Sequence, residues 1–252
     1  MCVAELGVKY KSNSQVARVV SENWCAAQMY CPACSSDALT AAANNFPGVD
    51  FTCPACSSVY QLKSRKGIIG RRINDSGYEA MLRAIRSEQV PNLLLLQYSS
   101  LWSVINLLLI PSFFFTESTI EKRKPLTDRA QRAGWVGCNI LLDNVPVDGR
   151  IPIIKDGVVT NRTAVRRAYS RVSQFNELKG DVRGWTLDVL NISRKLNRQE
   201  LSLSDFYTFE QHLQNLHPSN KNIRAKIRQQ LQVLRDMGYL AFEGSGRYSV
   251  LR

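Results

Sequence analysis

Long hydrophobic runs are missing from this sequence of 252 residues. Its most apolar stretches, residues 93–96 and 107–110, are too short to span a bilayer, so we interpret them as buried strands. The N-terminus lacks the basic head and apolar run of a signal peptide. We therefore expect a cytoplasmic protein that does not bind a membrane, and we find no internal repeat or low-complexity tract.

Acidic residues and histidines are also scarce. The chain has 21 Asp and Glu against 33 Lys and Arg, which gives a formal net charge of +12. A protein this basic usually binds nucleic acid, an anionic surface or an acidic partner. The two histidines, His212 and His217, form no cluster, so we interpret them as surface or packing residues rather than ligands.

Four of the seven cysteines form two Cys-x-x-Cys pairs, Cys31 with Cys34 and Cys53 with Cys56. Two such pairs are typical of a tetrahedral Zn²⁺ site, and four thiolates leave no position for water, so the predicted zinc is structural. The odd number left over fits a reducing compartment better than a disulfide framework. These remaining cysteines are Cys2, Cys25 and Cys138.

The second cysteine pair overlaps an Asp…(Glu/Gln)-x-Lys pattern made of Asp50, Gln61 and Lys63. Residues two apart in a strand share a face, so Gln61 and Lys63 should point one way and Tyr60 and Leu62 into the core. The zinc knuckle would then clamp the strand of Asp50 to the strand of Lys63.

This pattern suits metal-dependent phosphodiester hydrolysis. Asp50 would be the first Mg²⁺ ligand, Gln61 would add a weaker, uncharged amide oxygen, and Lys63 would orient the water or offset developing charge. Glu22 lies on a helix predicted over residues 12–29, and we expect it to face the cleft. Alone the pattern is weak, because chance produces it often.

Two further segments leave alternatives open. Residues 64–75 carry four positive charges around two glycines, which fits either a solvated surface or a loop beside a phosphate backbone. Residues 121–140 are basic and then glycine-rich around Trp135. Trp135 is either a core residue, which spacing alone favours, or an aromatic platform for a base or methyl group.

The remaining periodicity predicts a mixed α/β domain. Strands are expected over residues 92–98 and 102–110, joined as a hairpin, and a basic helix over Arg162–Val172. The polar segment 173–183 is interpreted as a linker. We therefore divide the chain into a domain of residues 1–180, with the zinc knuckle as an insert, and a domain of residues 181–252.

The second domain has the pattern of a winged helix. Three amphipathic helices precede two short strands around Gly244-Ser245-Gly246. Ser219 or Asn220 should cap the third helix, which would lie in the major groove with the hairpin on the backbone. The residues expected to contact DNA here are Ser219, Asn220, Lys221, Arg224, Arg228 and Arg247.

Specific segments in the same order resemble the DpnI family of restriction endonucleases over almost the whole chain. They are YKSNSQ (10–15), YCPAC (30–34), DFTCPAC (50–56), LKSRKG (62–67), INDSGY (73–78), RAGWVGCNI (132–140), RGWTLDVLN (183–191) and KIRQQLQVLRD (226–236).

The resemblance implies a type II, methyl-directed endonuclease of a bacterial or archaeal restriction system. Such enzymes cut double-stranded GATC whose adenine carries an N6-methyl group. It also implies a PD-(D/E)xK-type catalytic domain, in which Asp50 and Lys63 serve catalysis, followed by an α+β winged helix. Trp135 takes the place of an indole that lines the methyladenine pocket. We expect the chain to act as a monomer.

The departure from the family pattern is Gln61, where a glutamate is usual. Either another carboxylate such as Glu22 enters the metal site, or the site is weakened, or the protein binds methylated DNA without cutting it. A methyl-DNA-binding regulator is therefore the alternative function. An RNA-binding zinc-ribbon protein is a third hypothesis, which the winged-helix pattern disfavours.

Overall fold

The computed structural model describes residues 12–43 and 48–251. The chain forms two compact units that interleave along the sequence. The first comprises Met1–Ile73, Glu88–Phe113 and Asp148–Ser173, and the second comprises Asn74–Ser87, Phe114–Val147 and Gln174–Arg252. None of the helices in the described part of the chain has the length and hydrophobicity needed to cross a membrane.

Helices and strands alternate along most of the chain. The α-helices of the described residues are α1 (Asn13–Gln28), α2 (Tyr78–Arg86), α3 (Arg162–Val172), α4 (Gly180–Leu196), α5 (Leu203–Tyr207), α6 (Glu210–Leu216) and α7 (Ile223–Asp236). The strands are β1 (Thr40–Ala41), β2 (Phe51–Thr52), β3 (Val59–Lys66), β4 (Arg72–Gly77), β5 (Asn92–Tyr98), β6 (Val104–Ile110), β7 (Ile120–Lys122), β8 (Gly137–Leu141), β9 (Ile151–Lys155), β10 (Val158–Val159), β11 (Glu200–Ser202), β12 (Leu240–Gly244) and β13 (Arg247–Val250).

The first unit is built on a sheet of strand order β1-β2-β3-β5-β6-β9-β10. Strands β3 and β5 run parallel, with Lys63 opposite Leu95, and β5 and β6 form the predicted antiparallel hairpin. The four leucines of residues 93–96 are all buried, because β5 lies between two other strands at the centre of the sheet. The sequence prediction of these strands is confirmed.

Two predicted helices flank this sheet. The buried face of α1 carries Val20 and Cys25, and Ser21 Oγ donates to Ser64 Oγ of β3 at 3.0 Å. Helix α3 has the predicted bounds and begins after Asn161, whose side chain accepts from the backbone amides of Thr163 and Ala164.

The second unit contains the three-stranded sheet β4-β8-β7 and the C-terminal helices. The predicted linker 173–183 is wrong, because α4 already begins at Gly180 and a 3₁₀ turn occupies Ser173–Glu177. Phe175, within this polar segment, is completely buried and its ring lies 5.6 Å from that of Phe114. One aromatic side chain thus anchors a segment whose composition is typical of a loop.

The C-terminal part of the second unit has helices α4 to α7 and a sheet of order β11-β13-β12. Strand β11 was not predicted, since three residues show no periodicity. The third predicted helix starts later than expected, with Asn222 rather than Ser219 or Asn220 at the N-cap position. The predicted glycine-tipped hairpin is present, and Gly244, Ser245 and Gly246 all have positive φ angles.

His217 is a packing residue in this unit, as expected. Its ring stacks on Trp185 with centroids 3.8 Å apart, and its Nε2 lies 2.8 Å from the carboxylate of buried Asp188. His212 is exposed at the surface of α6.

Candidate active site and metal centre

The two cysteine pairs meet as predicted. The four sulfur atoms lie within 4.8 Å of one another, and Cys31 Sγ to Cys56 Sγ and Cys34 Sγ to Cys53 Sγ are both 3.6 Å. A tetrahedral zinc ion with bonds of about 2.3 Å holds its sulfurs roughly 3.8 Å apart. The donor set and its spacing therefore fit a structural zinc ion.

The thiols of this cluster do not ionise alike. Burial raises the pKa of Cys31 to about 12. Burial also raises the pKa of Cys53, but hydrogen bonds from the backbone amides of Cys56 and Ala55 outweigh it and bring the value to about 6. Because zinc binds thiolates, binding must release protons, and acid conditions weaken it.

Helix α3 stabilises the turn around the first cysteine pair, Cys31 and Cys34. The sequence did not reveal this role. Arg166 Nε donates to the carbonyl oxygen of Cys31 at 3.2 Å, and its Nη2 donates to that of Ser36 at 2.8 Å. The same guanidinium contacts the carboxylate of Asp37 at 3.2 Å and lies over the ring of Tyr30. The basic face of α3 is thus partly a structural support for the knuckle.

Asp50 is held beside β3 by the backbone. Its amide donates to the carbonyl oxygen of Tyr60 at 2.8 Å, and its Oδ2 accepts from the amide of Leu62 at 2.7 Å. This second bond fixes the carboxylate next to Gln61, the middle residue of the motif. Tyr60 is fully buried, as expected, whereas Leu62 is only partly buried.

A cavity of about 510 Å³ opens at this carboxylate. Among its described lining residues are Glu22 of α1, Asp50 and Gln61. Burial raises the pKa of the neighbouring Cys25 thiol, and the negative charges of Asp50 and Glu22, which both lie near this thiol, raise its pKa further. The predicted position of Glu22 in the cleft is therefore confirmed, with Arg18 paired to it at 2.6 Å.

Lys63 lies two residues beyond Gln61 on β3 and is partly buried. Among the described residues that line the cavity, Asp50 and Gln61 are included and Lys63 is not. The strand places Gln61 and Lys63 on the same face, as the sequence predicted.

Trp135 lies in the second unit and is partly exposed, resting against two glycines. A Cβ atom built on Gly137 would be 2.8 Å from two carbons of the indole, and one built on Gly77 would be 3.5 Å from its Nε1. The loop before it is closed by backbone bonds from Leu126 to Trp135 and from Gly134 to Leu126. Packing of a partly exposed indole against two glycines favours the interpretation of Trp135 as an aromatic platform over that of a buried core residue.

The predicted DNA-contact residues of the C-terminal region lie mostly at its surface. Lys221, Arg224, Arg228 and Arg247 are exposed, as is Ser219, whereas Asn220 is partly buried. Asn220 Oδ1 accepts from the amide of Asn222 at 2.7 Å, so its side chain supports the turn before α7.

Two of these arginines already have partners that the sequence did not suggest. Arg224 pairs with Glu210 at 2.8 Å and lies over the ring of Tyr207, whose hydroxyl also accepts from Arg228 at 2.8 Å. Residues of α5 and α6 therefore orient Arg224 and Arg228.

These features define a protein with a mixed α/β N-terminal region that carries a four-cysteine cluster, and a C-terminal helix-turn-helix region. The model of the DpnI Dam-replacing family matches residues 2–178, and that of the Dam-replacing HTH domain matches residues 181–250. The chain belongs to the DpnI family, which is a family of restriction endonucleases.

Proposed function

We propose that this protein is a type II, methyl-directed restriction endonuclease that cuts double-stranded DNA at GATC carrying N6-methyladenine. The observation that carries the proposal is the cavity in which Asp50, Glu22 and Gln61 meet beside the zinc knuckle. Family membership and the helix-turn-helix region support a DNA substrate. We further propose a PD-(D/E)xK-type catalytic domain in residues 1–180, a winged helix in residues 181–252 and a monomeric enzyme.

The chemistry follows from the oxygen donors at the cavity. A bound Mg²⁺ would offset the charge of the phosphate and lower the pKa of the attacking water. Asp50, Glu22 and the amide oxygen of Gln61 would hold this ion. Lys63 would orient the water or stabilise the charge that develops on the phosphate oxygens.

The direct test of this function is digestion of plasmid DNA by the full-length protein. Plasmid from an adenine-methylating host should be cut in Mg²⁺ and left intact in excess chelator, and plasmid from a non-methylating host should be spared. Cutting of both plasmids alike, or of neither, contradicts the proposal.

Gln61 favours a second candidate function, a methylated-DNA-binding protein without nuclease activity. An uncharged amide is a weaker Mg²⁺ ligand than the carboxylate usual at this position. Under this alternative, methylated duplex binds tightly and no product appears at any Mg²⁺ concentration. Glu22 at the cavity supports the endonuclease instead, because it supplies a second carboxylate.

Our first prediction concerns this exchange of ligands. Glu22→Gln should slow cleavage by on the order of 100-fold, the loss typical when one charged group is removed from an active site. Adding Gln61→Glu should restore most of the rate, because it returns a carboxylate to the cavity. Cleavage rates measured across a Mg²⁺ titration check both changes. A double variant as slow as Glu22→Gln would show that the two positions do not serve the same ion.

Our second prediction tests the methyl-reading role that we propose for Trp135. In Gly137→Ala the new methyl group would collide with the indole, so the ring must move. The ratio of cleavage rates on methylated and unmethylated duplex should fall roughly 10-fold or more, the value of one apolar contact. Gly77→Ala is the matched control, since its Cβ would make only ordinary contact with the ring. Equal ratios in the two variants would contradict the assignment.

The third prediction concerns α7, which we propose lies in the major groove. Arg224→Ala should weaken binding to methylated and unmethylated duplexes alike and reduce the salt dependence of log K by about one phosphate contact. Glu210→Gln should do the opposite, because it removes the carboxylate that competes for Arg224. Titrations at several salt concentrations measure both slopes. A change confined to the methylated duplex would instead assign Arg224 to base reading.

A further inference from the structure

The two most exposed large hydrophobic side chains in the described part of the chain are Leu101 and Ile68, at 86% and 84% exposure. Ile68 follows β3 and Leu101 follows β5, which are neighbouring parallel strands. The backbone amide of Gly67 donates to the carbonyl oxygen of Tyr98 at 3.1 Å, which ties the two loops together where they begin. Both side chains therefore lie beyond the same end of the sheet in the first unit.

The turn that carries Leu101 is rigid. Ser99 Oγ accepts from the amides of Leu101 and Ser103, and the amide of Ser99 donates to the carbonyl oxygen of Ser103 at 2.9 Å. Trp102 stacks on Tyr98 with ring centroids 4.8 Å apart and adopts a φ of +60°. A bulky residue rarely adopts this conformation, and such strain concentrates at functional positions.

The surroundings of the two side chains are basic. The segment 64–73 has four positive residues around Ile68 and no acidic one, and the turn 99–103 has no charge. The positive residues are Arg65, Lys66, Arg71 and Arg72. Apolar side chains at the tip of a basic surface match duplex DNA, which has a polyanionic backbone outside and stacked bases within.

The position of Ile68 shortly after β3 limits its distance from the proposed active site. Ile68 is five residues beyond Lys63, and since β3 ends at Lys66 the two residues are separated by at most about 16 Å, the length of five residues of extended chain. Successive phosphates of one strand are separated by about 3.4 Å of duplex axis. The side chains thus lie within roughly five base pairs of the position where Lys63 would act.

We propose that Ile68 and Leu101 form an intercalating wedge that enters a base step roughly three to five base pairs from the cleaved phosphodiester bond. The proposal rests on the proposed function, because it takes the bound duplex as given. Insertion of the wedge unstacks the step and kinks the duplex toward the active site, while the basic residues around Ile68 hold the backbone.

The experiment uses the full-length protein with Asp50→Asn, which keeps the duplex uncut. Methylated GATC duplexes carry 2-aminopurine at single positions two to seven base pairs from the site, because this base becomes fluorescent when it is unstacked. Protein binding should raise the fluorescence several-fold at one or two positions only. Adding Leu101→Ala or Ile68→Ala should abolish the rise, and Val159→Ala, which trims a 67% exposed side chain on the edge strand β10, should not.

Cleavage gives a second readout in the protein with native Asp50. Leu101→Ala should slow cutting of matched duplex by roughly 10-fold or more through lost burial of its side chain. A mismatch at the unstacked step should rescue that variant, because the pair is already weakened. Normal cutting with no fluorescence rise at any position overturns the wedge and leaves the proposed function intact.

The other outcomes are equally decisive. Failure of the Asp50→Asn protein to bind methylated duplex, together with no cutting by the native protein, overturns both proposals. A concentration-dependent dimer that Leu101→Ala dissociates would assign the two side chains to a contact between copies of this chain. Vesicle binding is the last comparison. If Leu101→Ala and Ile68→Ala bind anionic vesicles as well as the native protein does, and neither variant changes DNA binding or cleavage, the wedge is also overturned.

Discussion

Asp50→Asn is expected to abolish DNA cleavage while methylated duplex still binds. Asparagine keeps an oxygen that can accept from the amide of Leu62, so the junction of β2 and β3 is preserved. What it removes is the negative charge that, in the proposed mechanism, would hold Mg²⁺. We expect a rate loss on the order of 10³-fold or more, because under the proposed function the metal at this site would serve hydrolysis rather than recognition.

Asp50→Ala is the informative comparison. It removes the same charge but also leaves the amide of Leu62 without its acceptor, which costs about 1–3 kcal/mol for a buried donor. Both variants should be inactive in single-turnover assays, and the alanine variant should unfold at a lower temperature. Cleavage by Asp50→Asn at the native rate would place the active site elsewhere in the chain.

Loss of the zinc site should have the larger effect on folding. Cys31→Ser is expected to lower the zinc content from one ion per chain to none and to unfold the first unit. Apparent zinc-binding energies of about 10–16 kcal/mol in small sites are comparable to the whole stability of a domain. Elemental analysis together with thermal unfolding measures both effects, and loss of cleavage should follow because the knuckle clamps β2 and β3.

Cys25→Ser is the control for this change. Cys25 is also a buried cysteine of the first unit, but its sulfur is not in the four-cysteine cluster. The control variant should keep one zinc ion per chain. A well-folded native protein without zinc, or a Cys31→Ser variant with normal zinc and stability, would contradict the assignment.

Features of the fold that depend on neighbouring residues could be predicted from the sequence. The zinc knuckle follows from cysteine spacing, and the hairpin of β5 and β6 follows from two apolar runs around a serine turn. The bounds of α3 follow from its apolar periodicity and from Asn161, which can cap a helix. In each case the signal lies within a few residues: the spacing inside each cysteine pair, the turn between two apolar runs, and the cap and periodicity of one helix.

Features that depend on distant residues could not be predicted. Nothing near Arg166 indicates that it bonds the carbonyl oxygen of Cys31, and nothing near Arg224 points to Glu210. Burial of Phe175 by the tertiary fold overrode the polar composition of its segment. The candidate site was intermediate. The motif gave Asp50 and Gln61, and Glu22 was expected at the cleft from its helix, but the packing of α1 against β3 that brings Glu22 to their cavity could not be predicted.

The contact between Arg166 and the knuckle also sets an order of events during synthesis. The carbonyl oxygen of Cys31 accepts from the guanidinium of Arg166, which lies 135 residues further along the chain. At about 5–20 residues per second, a ribosome takes roughly 7–27 s to cover that interval. The cysteines emerge and can take up zinc early, but the knuckle gains its brace only when the last part of the first unit has been made. A nascent or truncated chain that ends before residue 166 therefore has the four cysteines of the knuckle without the support that Arg166 gives in the finished protein.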